Sequence, residues 1–140
     1  MAVAIIIDPG DFDSFGVVAD LVLTLRRVAF ERAVDIIATV SAPPDRHELH
    51  LAARTGGHVV LGVRFDDLTL SRRNVLASAL GGRGWDADED REGFTRRFPP
   101  GTEHTAVAFE ALEVLTLGGA PPDVRTVSAV DASGAPVPLD

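Results

Sequence analysis

The 140-residue chain contains no cysteine and no tyrosine, and all thirteen of its basic residues are arginine, so lysine is missing too. Without cysteine there is no disulfide, no thiolate nucleophile and no thiolate-bound metal. Without lysine there is no Schiff-base amine and no P-loop lysine. No apolar run approaches the about eighteen residues that suggest a membrane span. The opening MAVAIIID is short and carries no basic residue, unlike a secretory leader. A cytoplasmic protein without membrane association is therefore expected. A formal charge of −8, with no basic stripe interleaved with aromatics, repels phosphate backbones, and nucleic acid is not an expected partner.

What the chain has is period. In HVVLGVRF (58–65), Val59, Leu61, Val63 and Phe65 fall on one side of an extended chain and His58, Val60, Gly62 and Arg64 on the other. That is the alternation of a strand with one buried face. AVDIIATVS (33–41) alternates through Val34, Ile36, Ala38 and Val40, and HELHLAAR (47–54) through Leu49, Leu51 and Ala53. Pro43-Pro44-Asp45 and Thr55-Gly56-Gly57 supply turns, so three consecutive antiparallel strands are predicted. Residues 2–7 are β-branched enough for a further short strand. DVRTVSAVDASGAPVPL (123–139) reads as a strand, a Ser-Gly turn and a proline-interrupted tail, which suits a sheet edge.

Three segments carry helical spacing instead. Residues 17–32 place Val17, Val18, Leu21, Val22, Leu25, Val28 and Ala29 on one face and Asp20, Thr24, Arg27 and Glu31 opposite, with Asp13 or Ser14 as cap. Ser71 is a good N-cap for a helix from Arg72, with Leu70 and Val75 as a hydrophobic staple and an apolar stripe of Val75, Leu76, Ala79 and Leu80. Gly81-Gly82 offers the left-handed residue that ends it. Thr102 can cap a third helix whose face is Val107, Ala108, Ala111, Leu112 and Leu115, closed by Gly118-Gly119. Between the last two, Trp85 and Ala87 share a face with Phe94 and Phe98 across a turn at Asp90 to Gly93, an edge strand or short hairpin. The prediction is one α+β domain over residues 1–140, an antiparallel meander sheet packed with about three helices. Its order is helix, three strands, helix, strand or hairpin, helix, strand.

This order resembles that of the YbjN-like proteins and type III secretion chaperones. The residues that carry the resemblance are the helix from Val17 to Arg32, the strand Val59 to Phe65, the helix start Leu70-Ser71 running to Leu80, Gly84-Trp85, and the Phe94-to-Phe98 strand feeding the last helix. It covers residues 17–118. What it implies is a small, acidic, often dimeric protein that holds another polypeptide in extended form along hydrophobic grooves, without catalysis. The extended segment before the first helix and the Pro-rich tail after the last depart from that pattern, and either can cover the groove.

Few constellations carry chemistry. Asp8, Asp11 and Asp13 offer carboxylates to a hard cation, but the run lacks the length, central glycine and distal glutamate of a calcium loop and reads as a capped turn. His47, His50 and His58 can meet a metal or titrate as a pair if the register sets His50 beside His58. With no third ligand they read as surface histidines on the solvent side of the meander. Asp86, Asp88, Glu89, Asp90 and Glu92, beside Arg91, Arg96 and Arg97, read as a solvated hairpin tip with arginines paired across the strands. No serine sits in a GxSxG elbow, and Gly81, Gly82 and Gly84 follow a helix, whereas phosphate sites open one.

The residues expected to bind a partner are Trp85, Phe94 and Phe98, an aromatic group of the kind enriched at interface centres, although such a cluster beside a helix end is more often core. The expectation is a non-catalytic binder of a protein or peptide, a chaperone-like adaptor and homodimer, with no cofactor and no metal. An enzyme drawing on His47, His50, His58, Asp8, Asp11 and Asp13 is the alternative, followed by a structural or regulatory subunit of a fixed complex.

Overall fold

The computed structural model describes residues 3–7, 12–41, 47–65, 68–88, 93–117 and 123–139. In chain order these form β1 (Val3–Ile7), α1 (Phe12–Arg32), β2 (Ile36–Val40), β3 (Glu48–Ala53), β4 (Val59–Arg64), α2 (Leu70–Gly82), β5 (Asp86–Ala87), β6 (Gly93–Phe98), α3 (His104–Leu115) and β7 (Asp123–Asp131). All the strands join one antiparallel sheet in the order β1-β7-β2-β3-β4-β6-β5. The α+β class expected from the sequence is the class observed.

The period-two runs set the meander. Leu51 pairs with Ala38 on one side and Leu61 on the other, and Leu49 with Val40 and Val63. These side chains are at most 1 % exposed. A slip of one residue would expose the whole set, which is why the register is firmly specified. Helices α1 and α3 pack on each other and on this face. The other face carries Ile37, Thr39, His50, Val60 and Arg64, all partly or fully exposed, and no helix covers it among the described residues.

The last strand departs from expectation. β7 is not an edge: it pairs with β1 through 123–127 and with β2 through 127–131. β1 and β2 thus run the same way with β7 reversed between them. The prolines that suggested an edge, Pro136 and Pro138, lie beyond the strand. The tail folds back on β7, with Asp131 N–H donating to Ala135 O and Val137 N–H to Ala129 O, both at 2.9 Å. Asp131 shapes this turn. Its Oδ1 accepts from the Ser133 hydroxyl and from the Ser133 and Ala135 amides, and Oδ2 accepts from Arg32 Nη1 at 3.1 Å. The Ser133 hydroxyl bond, with the amides and Arg32, holds this carboxyl below its ordinary range.

Helix boundaries shift for local reasons. α1 begins at Phe12, so Asp13 and Ser14 lie inside its first turn instead of capping it; Asp13 there favours the helix dipole and Ser14 is buried. Val17 is 46 % exposed, unlike the rest of the expected stripe. α2 is capped by Thr69, whose hydroxyl oxygen accepts from Arg72 N–H, two residues earlier than Ser71. Its buried pair is Leu76 and Leu80, while Val75 and Leu70, the expected staple, are exposed. α3 has Glu103 at its N-cap without a side-chain bond, the Thr102 hydroxyl donating instead to Pro99 O. It stops at Leu115, and the Gly118-Gly119 stop lies outside the described residues.

Candidate functional site

An open cleft of about 360 Å³ lies between α2 and the β5–β6 hairpin, lined by Phe65, Leu70, Arg73, Asn74, Ala77, Ala87, Gly93 and Phe94. Its floor is the Phe65–Phe94 pair, with ring centroids 5.6 Å apart and planes tilted by 48°. Phe65 continues the buried parity of β4, and Phe94 sits opposite Val63 on the same face. The α2 wall is the stripe Leu70, Arg73, Asn74 and Ala77, spaced i, i+3, i+4 and i+7, one face of a helix. Arg73 Nε donates to Leu68 O at 3.1 Å, across the helix start. The cleft is thus mainly apolar, with Arg73 and Asn74 as its polar members.

A buried ionic knot fixes the hairpin against the helices. Helix α2 ends in a Schellman motif: Trp85 N–H donates to Leu80 O at 3.1 Å and Gly84 N–H to Gly81 O at 3.3 Å, with Gly84 at φ 85°. The left-handed residue is therefore Gly84, not Gly81 or Gly82, which belong to the helix. This turn delivers Arg83 and Trp85 to Glu110 of α3. Glu110, only 6 % exposed, accepts from Arg83 Nε and Nη2 at 3.0 and 2.7 Å and from Trp85 Nε1 at 2.8 Å. Arg96 Nη1 lies 3.1 Å from its Oε1, and the Arg96 guanidinium sits 4.9 Å from the Phe98 ring centre. Burial pushes the Glu110 carboxyl upward, but the bonds from Arg83 and Trp85 and the charges of Arg83 and Arg96 outweigh it and hold the group below its ordinary value.

Of the three aromatics expected at a partner surface, Trp85 and Phe98 are interior, 4 % and 7 % exposed. Phe94 is half-buried and opens into the cleft. Burial of Trp85 follows from its place after Gly84, where the Schellman turn sets it on Leu80. Arg96 pairs with Glu110, and Asp88 accepts from the Thr95 hydroxyl at 2.7 Å and lies 3.9 Å from Arg64. Residues 89–92 are outside the described set.

The histidines do not converge. His50 faces Gly62 across the strands, not His58, and its Nε2 meets Glu48 at 2.6 Å. His47 is not on the solvent side: it shares the parity of Leu49, is 3 % exposed, and its Nε2–H donates to Val114 O at 2.6 Å in the last turn of α3. Its own carbonyl accepts from the buried Arg125 at 2.7 Å. Asp13 lies in α1, and Asp8 and Asp11 fall outside the described residues. Among the described residues no group of three or more histidines or carboxylates is placed to hold a metal ion.

Sequence reading passed over Glu110. The signal was there: an acid on the stripe Val107, Ala111, Val114, inside an otherwise apolar helix face.

The cleft wall contains a packing constraint that gives a direct prediction. A Cβ built on Gly93 would stand 2.3 Å from Val63 O and 3.0 Å from Asp88 Oδ2, whereas one on Gly62 would meet only His50 Cβ, at 3.8 Å. Gly93→Ala must push β6 off β4 and is expected to cost about 2 kcal/mol. Gly62→Ala is expected to stay within about 0.5 kcal/mol of the parent. Urea unfolding of the two variants measures the contrast, and equal stabilities would remove the constraint.

No protein-family model matches the chain, and no curated protein or solved structure matches it.

Proposed function

We propose that this domain is a non-catalytic binder that holds a partner polypeptide, as a chaperone-like adaptor does, with an apolar partner side chain seated on Phe65 and Phe94. The observation that carries this reading is the cleft itself: an open apolar trough beside a sheet edge. β5 is only two residues long, both exposed, and pairs on one side with β6. An extended chain can add to such an edge by main-chain bonding while alternate side chains turn into the trough. The element order from α1 to α3, with its meander between two helices, supports the resemblance to YbjN-like proteins and type III secretion chaperones. His47 is bonded to α3 and the Glu110 carboxylate to Arg83 and Trp85, so both buried polar groups are engaged in holding elements together, which favours binding over catalysis.

Panning a random dodecapeptide library against the purified domain tests this. Enriched peptides are expected to share one large apolar residue and to bind Leu70→Asp at least roughly tenfold more weakly, about 1.4 kcal/mol. Leu70 is 73 % exposed at the cleft lip, so the variant leaves the core intact. Failure to enrich peptides, or equal binding to both proteins, would sink the reading.

A further inference from the structure

The core-facing stripe of α1 accounts for Val18, Val22, Leu25 and Ala29, each at most 3 % exposed. Turned away from it is a second stripe, Gly16, Asp20, Leu23, Arg27 and Phe30, spaced four, three, four and three residues, every member exposed. Leu23 is 49 % exposed and Phe30, a whole aromatic ring, 85 % exposed. Scattered single apolar residues on a surface need no explanation. A heptad-spaced row of two apolar residues, one glycine and two opposite charges is a different matter, because that spacing is the seam of a pair of helices.

The order of the row says what fits it. Set a second α1 antiparallel on the first, with the twofold axis at Leu23. Leu23 then meets Leu23 of the second copy. Asp20 faces Arg27 of the second copy, and Arg27 faces its Asp20, so both charge pairs are attractive. Phe30 comes over Gly16 of the second copy, and a Cβ at Gly16 would have nothing within 4 Å, so the largest side chain of the row lies over the smallest. A parallel pairing in register instead sets Asp20 on Asp20 and Arg27 on Arg27, with nothing to receive the ring. Among the described residues Arg27 pairs with Glu31, at 4.0 Å with both side chains more than 60 % exposed, a contact that yields to a better one.

We infer that the outer face of α1 is a twofold self-association surface whose occupant is a second copy of this chain, in antiparallel register through Asp20–Arg27 and Phe30–Gly16. This goes beyond the peptide-binding reading and does not depend on it, since the cleft is built by α2 and the opposite edge of the sheet. From Gly16 to Phe30 the seam is about 21 Å long at 1.5 Å per residue. A contact of that length falls below the usual size of a stable interface, so the dimer is weak.

Sedimentation equilibrium from about 10 to 500 μM, the range such an interface requires, reads it directly. The parent chain is expected to dimerise, less so in high salt. Asp20→Arg and Arg27→Asp each convert both pairs to repulsions and are expected to be monomeric, yet an equimolar mixture of the two is expected to associate, because every cross-pair is then attractive. Phe30→Asp is expected to be monomeric with an unchanged thermal transition. Leu23→Cys, the sole thiol in this chain, is expected to form an intermolecular disulfide under mild oxidation, and Val75→Cys on α2 is not. A parent chain monomeric at the highest concentration overturns the inference, whatever other molecule covers the face. So does a dimer that persists in the charge variants, or a mixture that stays monomeric.

Discussion

Glu110→Ala is expected to lower the unfolding free energy by about 3 kcal/mol, a large share of what holds a domain of this size together. The substitution leaves two guanidiniums and an indole N–H that have lost their common acceptor inside a partly closed site. The figure sits at the low end for a broken buried pair because the Arg83 and Arg96 side chains remain 30 % and 35 % exposed and regain some water. Glu110→Gln retains the shape and one acceptor but not the charge, and is expected to lose less than the alanine variant. For a chain of this length, 3 kcal/mol corresponds to a melting temperature lower by about 10 °C.

The same carboxylate sets a pH signature. Its folded-state pKa lies below the ordinary 4.5, so its contribution is fully present above that value and disappears as pH falls through the lowered one. The stability gap between the parent and Glu110→Gln is therefore expected to be flat from pH 7 down to about 5 and to close below it. Asp35 works in the same direction, held low by the Thr55 amide and the Arg54 guanidinium, and so does Asp131. The gap measured by denaturant titration at several pH values checks the assignment. A gap that widens in acid would mean that Glu110 is neutral in the folded protein.

Leu80→Ala is expected to cost a similar amount, about 3 kcal/mol, by a different route. Leu80 is 0 % exposed, and its carbonyl receives both Arg83 N–H at 3.1 Å and Trp85 N–H at 3.1 Å. Truncation opens a cavity at the point where the indole turns into the core, so the loss includes Trp85 packing as well as the missing methyl groups. Because both side chains belong to one buried cluster and the Trp85 N–H bonds Leu80 O, Leu80→Ala and Trp85→Phe are expected to combine non-additively. Additive losses in a double-mutant cycle would show that the indole is held by Glu110 alone.

The legible parts of the fold were those where one face is buried and the period is short. The meander could be read from 34–41, 47–54 and 58–65 because each alternates cleanly, and its neighbours in the sheet are the ones expected. The place of β7 could not be read that way. Its nine residues carry no proline, but the flanking Pro136 and Pro138 coloured the whole segment, and nothing local says that β1 and β2 leave a gap between them. The stripe of α2 is rotated from the expected one: 75, 76, 79, 80 and 73, 76, 77, 80 are both helical rows, and spacing alone does not choose between them.

At the cleft, Phe94 is legible as an aromatic residue of the hairpin strand. Trp85 and Phe98 share that character but are taken by the core, since the Schellman turn and Glu110 dictate where the indole goes. Counting back two from Leu49 places His47 on the buried face, where the last carbonyls of α3 await a donor.

The position of β7 also bears on the route by which the chain folds. The first and last described segments meet only there, residue 3 pairing with residue 127, whereas the meander closes through turns of a few residues. β1 has no other neighbour in the sheet, so its amides have nothing to bond until the far end of the polypeptide arrives and threads between it and β2. Long-range closures of this kind form late. Native-state hydrogen exchange should therefore show 3–7 and 123–137 opening together as one cooperative unit, at a lower free energy than 36–64.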